Sequence, residues 1–186
     1  MVPITALWLP ILLSAVIVFV ASSILHMVLP YHKSDYRKLP GEDWVVDALG
    51  AAGVTPGPSY TFPHCTHKDM KSPEIVEKFK RGPVGLINVM PSGPPAMGKH
   101  LGLWFVYCVV VSIFVAFVAG STLTPGTRYL LAFHLTGLVA FMAYGVGQLQ
   151  DSIWKAQAWS VTAKGVFDGL IYALLTAGTF GWLWPK

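Results

Sequence analysis

Three groupings of side chains in this chain of 186 residues have types and spacings that could do chemistry. The tightest is His64-Cys65-Thr66-His67, with Met70 three residues on. Imidazole, thiolate and thioether are all ligands for soft or borderline metals. Against a metal site, the spacing matches no established zinc pattern and no second ligand pair is obvious. Adjacent ligands in an extended segment would also point to opposite sides. A polar surface loop accounts for the same residues. The second grouping is His26 with His100, each at the end of an apolar block and at similar depth. Such a facing pair is what bis-histidine ligation of a b-type haem needs. Histidines that are simply hydrated at a membrane interface fit the same positions. No bound cofactor is expected beyond contacts with lipid.

The third grouping is periodic. His134, Gly137, Phe141, Tyr144, Gln148 and Asp151 recur at intervals of three and four, as do Lys164, Asp168, Tyr172, Thr176 and Thr179. On helices each set shares one face. Antiparallel packing would put Asp168 at the depth of Tyr144 and Gln148, and Thr179 at the depth of His134. Polar side chains are costly in lipid and should turn toward a helix partner. The expectation is a polar seam of His134, Tyr144, Gln148, Asp168, Tyr172 and Thr179. Its ordinary role is helix association through hydrogen bonds; its functional alternative is a route for protons, ions or a small substrate. Asp168 is expected to pair with Lys164, four residues earlier, and to meet Gln148 or Tyr144 across the interface.

The elements that must carry these groups follow from composition. Hydrophobic residues make up 54% of the chain and charged residues 12%, with a mean hydropathy of +0.56. A soluble domain has about twice that charge. The apolar residues collect in four blocks, 4–29, 101–120, 129–149 and 166–184, whereas seven of the nine acids lie between residues 30 and 99. Backbone groups in lipid must be satisfied internally, so the blocks are read as helices. The predicted fold is an all-α membrane protein with four transmembrane helices, the last three within 100–186, and a small α+β cytoplasmic insertion at 30–99. Block one lacks a basic leader and has a long apolar run, which favours a true span over a signal peptide.

Orientation follows from the basic residues. Of the thirteen Lys and Arg, nine fall in 30–99 and two in 150–165; Arg128 and Lys186 are the other two. The positive-inside rule then puts both loops in the cytoplasm and both termini outside. Trp8, Tyr129, Trp182 and Trp184 would form the outer aromatic belt, with Tyr31, Trp104, Trp154 and Trp159 the inner one. Cys65 would be cytosolic and Cys108 within lipid, so no disulfide is expected.

Within the insertion, 42–50 reads as a short amphipathic helix stopped by glycine. Ser72-Pro73-Glu74 is a helix start, and Lys78, Lys80 and Arg81 before Gly82 are its end, so 73–81 is a second helix. The segments 59–62 and 84–90 are short strand candidates. Such a miniature buries too little to stand alone. Two further stretches, 26–36 and 81–85, look motif-like without pointing to an activity.

Small residues form stripes at Ser112, Ala116 and Gly120, at Ala143 and Gly147, and at Ala173 and Ala177, which suits close helix contact. No phosphate-binding loop, dinucleotide-binding glycine pattern or nucleophile elbow is present, so no catalytic constellation points to an enzyme. The net charge of +4 is loop charge without interleaved aromatics, which does not suit nucleic acid. The expected function is that of an accessory, structural or assembly subunit of a larger complex in a bacterial-type inner membrane. Its partners would be lipids and other membrane-protein subunits, or further copies of itself. The alternative is a small transporter or ion-coupled carrier using the polar seam. Against it stand four helices, no inverted repeat and no deeply buried acid. A metal- or haem-binding membrane protein is the third class.

Overall fold

The computed structural model describes residues 1–186. In chain order its elements are α1 (Trp8–Met27), α2 (Glu42–Ala51), β1 (Ser59–Phe62), α3 (Pro73–Arg81), β2 (Gly85–Asn88), α4 (Met97–Thr122), α5 (Tyr129–Tyr144), α6 (Leu149–Lys155) and α7 (Trp159–Trp182). The chain divides into two compact units, residues 1–36 with 96–186, and residues 37–95.

In the first unit, α1, α4, α5 and α7 form a bundle in which each long helix packs on two others, closing the ring α1–α4–α5–α7. Three segments are long and apolar enough to cross a membrane: Ile4–Met27, Met97–Thr122 and Tyr129–Lys155. The most extensive contact is between α5 and α7. It is close because the residues are small. A Cβ on Gly169 would lie 2.5 Å from the Cα of Gly145, and one on Gly137 would lie 3.1 Å from the Ala177 Cβ. Ser14 and Ser112 join α1 to α4 through hydroxyls 3.0 Å apart. The interior is built from Ala15, Val18, Cys108, Ala116, Ala119, Ala132, Ala140 and Ala177, all fully buried. The outer faces carry the large apolar groups, among them Phe114 and Phe117, each 62% exposed.

The helix boundaries near residue 150 differ from the sequence expectation. α5 stops at Tyr144, a 3-10 turn covers Val146–Gln148, and α6 follows directly. The expected sixteen-residue connection contracts to Ala156–Ala158, with Ala156 in the left-handed region (φ 54°). Side chains hold this turn. Thr162 Oγ1 lies 2.6 Å from Ser152 Oγ and accepts from Gln157 Nε2 at 2.9 Å. These contacts join residues whose spacing fits no helical period, so periodicity does not reveal them.

In the second unit, β1 and β2 pair antiparallel with Ser59 opposite Asn88 and Phe62 opposite Gly85. The Phe62 ring covers Gly85, where an added Cβ would fall 2.6 Å from it. α3 starts as its sequence dictates: Ser72 Oγ accepts from the Ile75 amide at 3.3 Å and Pro73 occupies the first helical position. Glu74–Lys78 (2.6 Å) and Glu77–Lys80 (3.0 Å) run along its exposed side. No side chain of residues 37–95 is fully buried.

Candidate functional site

The densest polar network in the bundle sits where α1 ends. Leu29 precedes Pro30, which disfavours helical backbone at Leu29, and its backbone is extended (φ −81°, ψ 136°). α1 therefore ends at Met27, and Pro30 opens a 3-10 turn over Pro30–Ser34. That turn folds His32 back onto His26; the rings stack with centroids 4.3 Å apart and planes within 9°. Tyr31 also lies against His32, with ring centroids 4.1 Å apart and planes tilted by 39°.

Two α7 residues, four apart and so on one face, grip this turn. Asp168 is 2% exposed. Its Oδ1 accepts the Tyr31 hydroxyl, and its Oδ2 lies 2.8 Å from His32 Nε2 and 3.8 Å from His26 Nε2. Lys164 Nζ donates to the Tyr31 carbonyl (2.6 Å), Ser34 Oγ (2.8 Å) and Asp35 Oδ1 (2.6 Å). Asp35 Oδ2 in turn is 2.6 Å from His32 Nδ1. The Lys164 hydrogen bond holds the Asp35 carboxyl below the usual carboxylate range; burial opposes this and the contact with His32 adds to it. Burial first, and then the bond to Asp168, pushes the Tyr31 hydroxyl above its ordinary range.

The expected Asp168–Lys164 pair is thus corrected: Asp168 binds the side chains of Tyr31 and His32, and Lys164 binds the Tyr31 carbonyl, Ser34 and Asp35. Neither Gln148 nor Tyr144 reaches Asp168. Gln148 Nε2 donates to the carbonyls of Tyr144 (2.7 Å) and Gly165 (3.0 Å), tying the end of α5 to α7. Gly165 permits this, since a Cβ there would collide with the Gln148 amide.

The rest of the seam is packed rather than connected. Thr176 and Thr179 donate to carbonyls of their own helix, at Tyr172 and Leu175, each at 2.8 Å. The hydroxyls of Tyr144 and Tyr172 are buried with no hydrogen-bond partner. His134 does not point inward beside Thr179 as expected; it is exposed, on the open face with Arg128, Leu130 and Leu131. A bulky imidazole has no space in an α5–α7 contact closed by Gly137 and Ala177, so the helix presents it outward.

The other two candidate groupings are not assembled. His64, His67 and Met70 are exposed, Cys65 is half-buried, and the donor atoms of His64, Cys65 and His67 do not converge on one point. His64 instead approaches Thr61 Oγ1 at 3.4 Å. His100 is exposed on the first turn of α4, and the ring neighbour of His26 is His32. The histidine that sequence reasoning omitted is therefore His32. A signal for it exists: a lone acid inside an apolar block needs a partner, and the helix-ending proline four residues after His26 turns the chain back there.

No known protein family, curated protein sequence or solved structure matches this chain.

Proposed function

We propose that this protein is an integral membrane subunit that acts by binding another membrane-protein chain, as an accessory or assembly factor. The observation that carries the reading is the state of residues 37–95. They form defined helices and a two-stranded antiparallel sheet, yet bury no side chain fully and leave Trp44 76%, Val46 59% and Met90 77% exposed. A unit with so little core gains its stability from a surface outside itself. Ala143 and Gly147, a small-residue stripe suited to close helix contact within the bundle or with another subunit, are exposed and fit the close approach of a further helix.

In this reading α7 is the fourth crossing. It carries Lys164 and Asp168 and is the least apolar of the long helices, but ten of its 24 residues are buried, so protein replaces lipid along much of its length. Large apolar side chains outward with alanine, serine and glycine inward is an arrangement suited to lipid. The distribution of Lys and Arg supports a plasma (inner) membrane location with residues 30–99 cytoplasmic and both termini outside. The packed seam lends the transporter alternative no support, since the Thr176 and Thr179 hydroxyls close on their own helix and those of Tyr144 and Tyr172 join no hydrogen-bond chain.

A photo-crosslinking residue at Trp44, placed in the full chain in native membranes, tests the reading. The expected result is a discrete adduct with one membrane-protein chain, lost when Val46 is also changed to Asp. A protein that gives no adduct, and purifies in mild detergent as a folded monomer, overturns it.

A further inference from the structure

The hydrogen-bond directions around Asp168 leave a place for a cation. His26 Nδ1 lies 3.0 Å from the Ser22 carbonyl oxygen, which only accepts, so this nitrogen carries the proton. His32 Nδ1 faces an Asp35 carboxylate already held by the Lys164 ammonium, so it too donates. In the tautomers that these two bonds select, the Nε2 atom of each ring is the one free to hold a cation, whether a proton or a metal ion. Both Nε2 atoms approach Asp168 Oδ2, itself an acceptor, and all three lie within 4.8 Å of one another. Two imidazole nitrogens and a carboxylate oxygen at this spacing form a donor set that a single cation can bridge.

Charge leads to the same place. The cluster contains two carboxylates, Asp35 and Asp168, and one ammonium, Lys164. Lys164 is committed to Asp35, which leaves the 2%-exposed Asp168 without a permanent cationic partner. Buried carboxylates are paired or bind metal.

We propose that His26 Nε2, His32 Nε2 and Asp168 Oδ2 bind one divalent first-row transition metal ion of the zinc type. Two imidazoles and a carboxylate are a borderline donor set that suits zinc, iron(II) or cobalt(II) over magnesium or calcium. Tetrahedral coordination with ordinary bond lengths sets donors about 3.4 Å apart, and the two distances to Oδ2, 2.8 and 3.8 Å, fall on either side of that. Loading requires the His26 ring to tilt out of its stack on His32, and its side chain, 51% exposed, has the room. The supporting contacts are those a ligating histidine needs: a backbone carbonyl behind His26 and a carboxylate behind His32, each fixing the tautomer. Tyr31 holds the other carboxylate oxygen. Three protein ligands leave a fourth position for water or a small ligand on the exposed side of His26.

The test is a cobalt(II) titration of the full chain, stripped with a chelator and reconstituted in lipid nanodiscs. One equivalent should give the visible absorption of four-coordinate cobalt and be displaced by zinc. His32→Ala should abolish the band. His26→Ala, which removes a half-exposed ring and its stack on His32, should weaken binding by at least about tenfold. Asp35→Asn should weaken it about 10- to 100-fold through the orientation of His32. The triple variant His64→Ala, Cys65→Ser, His67→Ala should bind as the parent does. Absence of saturable binding at one equivalent would overturn the site, and is what a proton bound at His32 in place of the metal predicts. Retention of the band in a folded His26→Ala, His32→Ala double variant would overturn it equally.

Discussion

The bundle and residues 37–95 use the same amino acids in opposite ways. In the bundle, glycine is a contact surface: Gly169 and Gly145 let two backbones meet, and a side chain at either has nowhere to go. In the 37–95 unit, Gly41, Gly50, Gly53 and Gly57 have no atom within 4 Å of an added Cβ, and three of them have positive φ. These four serve turns and helix ends, and Gly85 under the Phe62 ring is the unit's one packed exception. Charge shows the same contrast. Lys78 and Lys80 pair along α3 in solvent, whereas Lys164 spans from α7 to the turn after α1 and makes three hydrogen bonds. The comparison teaches that the polar unit is organised by local helix contacts and one strand pair spanning fewer than 30 residues, while contacts more than a hundred residues apart tie the bundle together.

The sharpest way to break the comparison is to substitute glycine in both units. Gly169→Val forces a branched side chain into the Gly145 backbone and should destabilise the bundle by about 3 kcal/mol. Dye labelling of the buried Cys108 thiol during heating, in a Cys65→Ser background, reads this directly. An unchanged transition would show that α5 and α7 are not in close contact. Next in size is Lys164→Met, which leaves Asp35 without its cation. We expect a loss of about 2 kcal/mol, less than for a fully buried pair because the lysine is partly exposed. Faster amide hydrogen exchange should be confined to residues 29–36.

In the polar unit the effects should be smaller and local. Ser72→Ala removes the cap of α3 and should cost about 1 kcal/mol of local helix stability. Exchange at the Ile75 amide should speed up, with the bundle amides unaltered. The smallest expected change has the opposite sign to the first. Gly50→Ala, inside α2 and free of neighbours, should stabilise that helix by about 0.5 kcal/mol. A destabilising effect there would reveal a packed surface over α2 and remove the contrast between the units.

Much of the candidate site lies in a stretch, 26–36, whose residue types stand out in the sequence. Asp168 is likewise conspicuous as an acid in an apolar block. What the sequence leaves open is the pairing. Lys164 is the nearest cation to Asp168 along α7, and an i,i+4 pair is the natural expectation. The 30–34 turn supplies better partners to both, because it brings hydroxyl, imidazole and carboxylate groups together in one short arc. His134 fails for a related reason. Helical period places it on an arc with Tyr144 and Gln148, but that arc is wide, and the tightest α5–α7 contact accepts only the small residues within it.

From its sequence alone this chain declares long apolar helices, a polar segment between the first two of them, the capped start of α3 and the charge asymmetry along the chain. Those features depend on composition, on periods of three to four residues and on local hydrogen bonds, all readable within a short window. The ring of helix contacts, the contraction near residue 156 and the meeting of His26, His32 and Asp168 belong to the tertiary structure. His32 and Asp168 are 136 residues apart. Their encounter depends on how closely α7 can approach α1 and on which way a proline-initiated turn folds, and neither is encoded in the spacing of either segment.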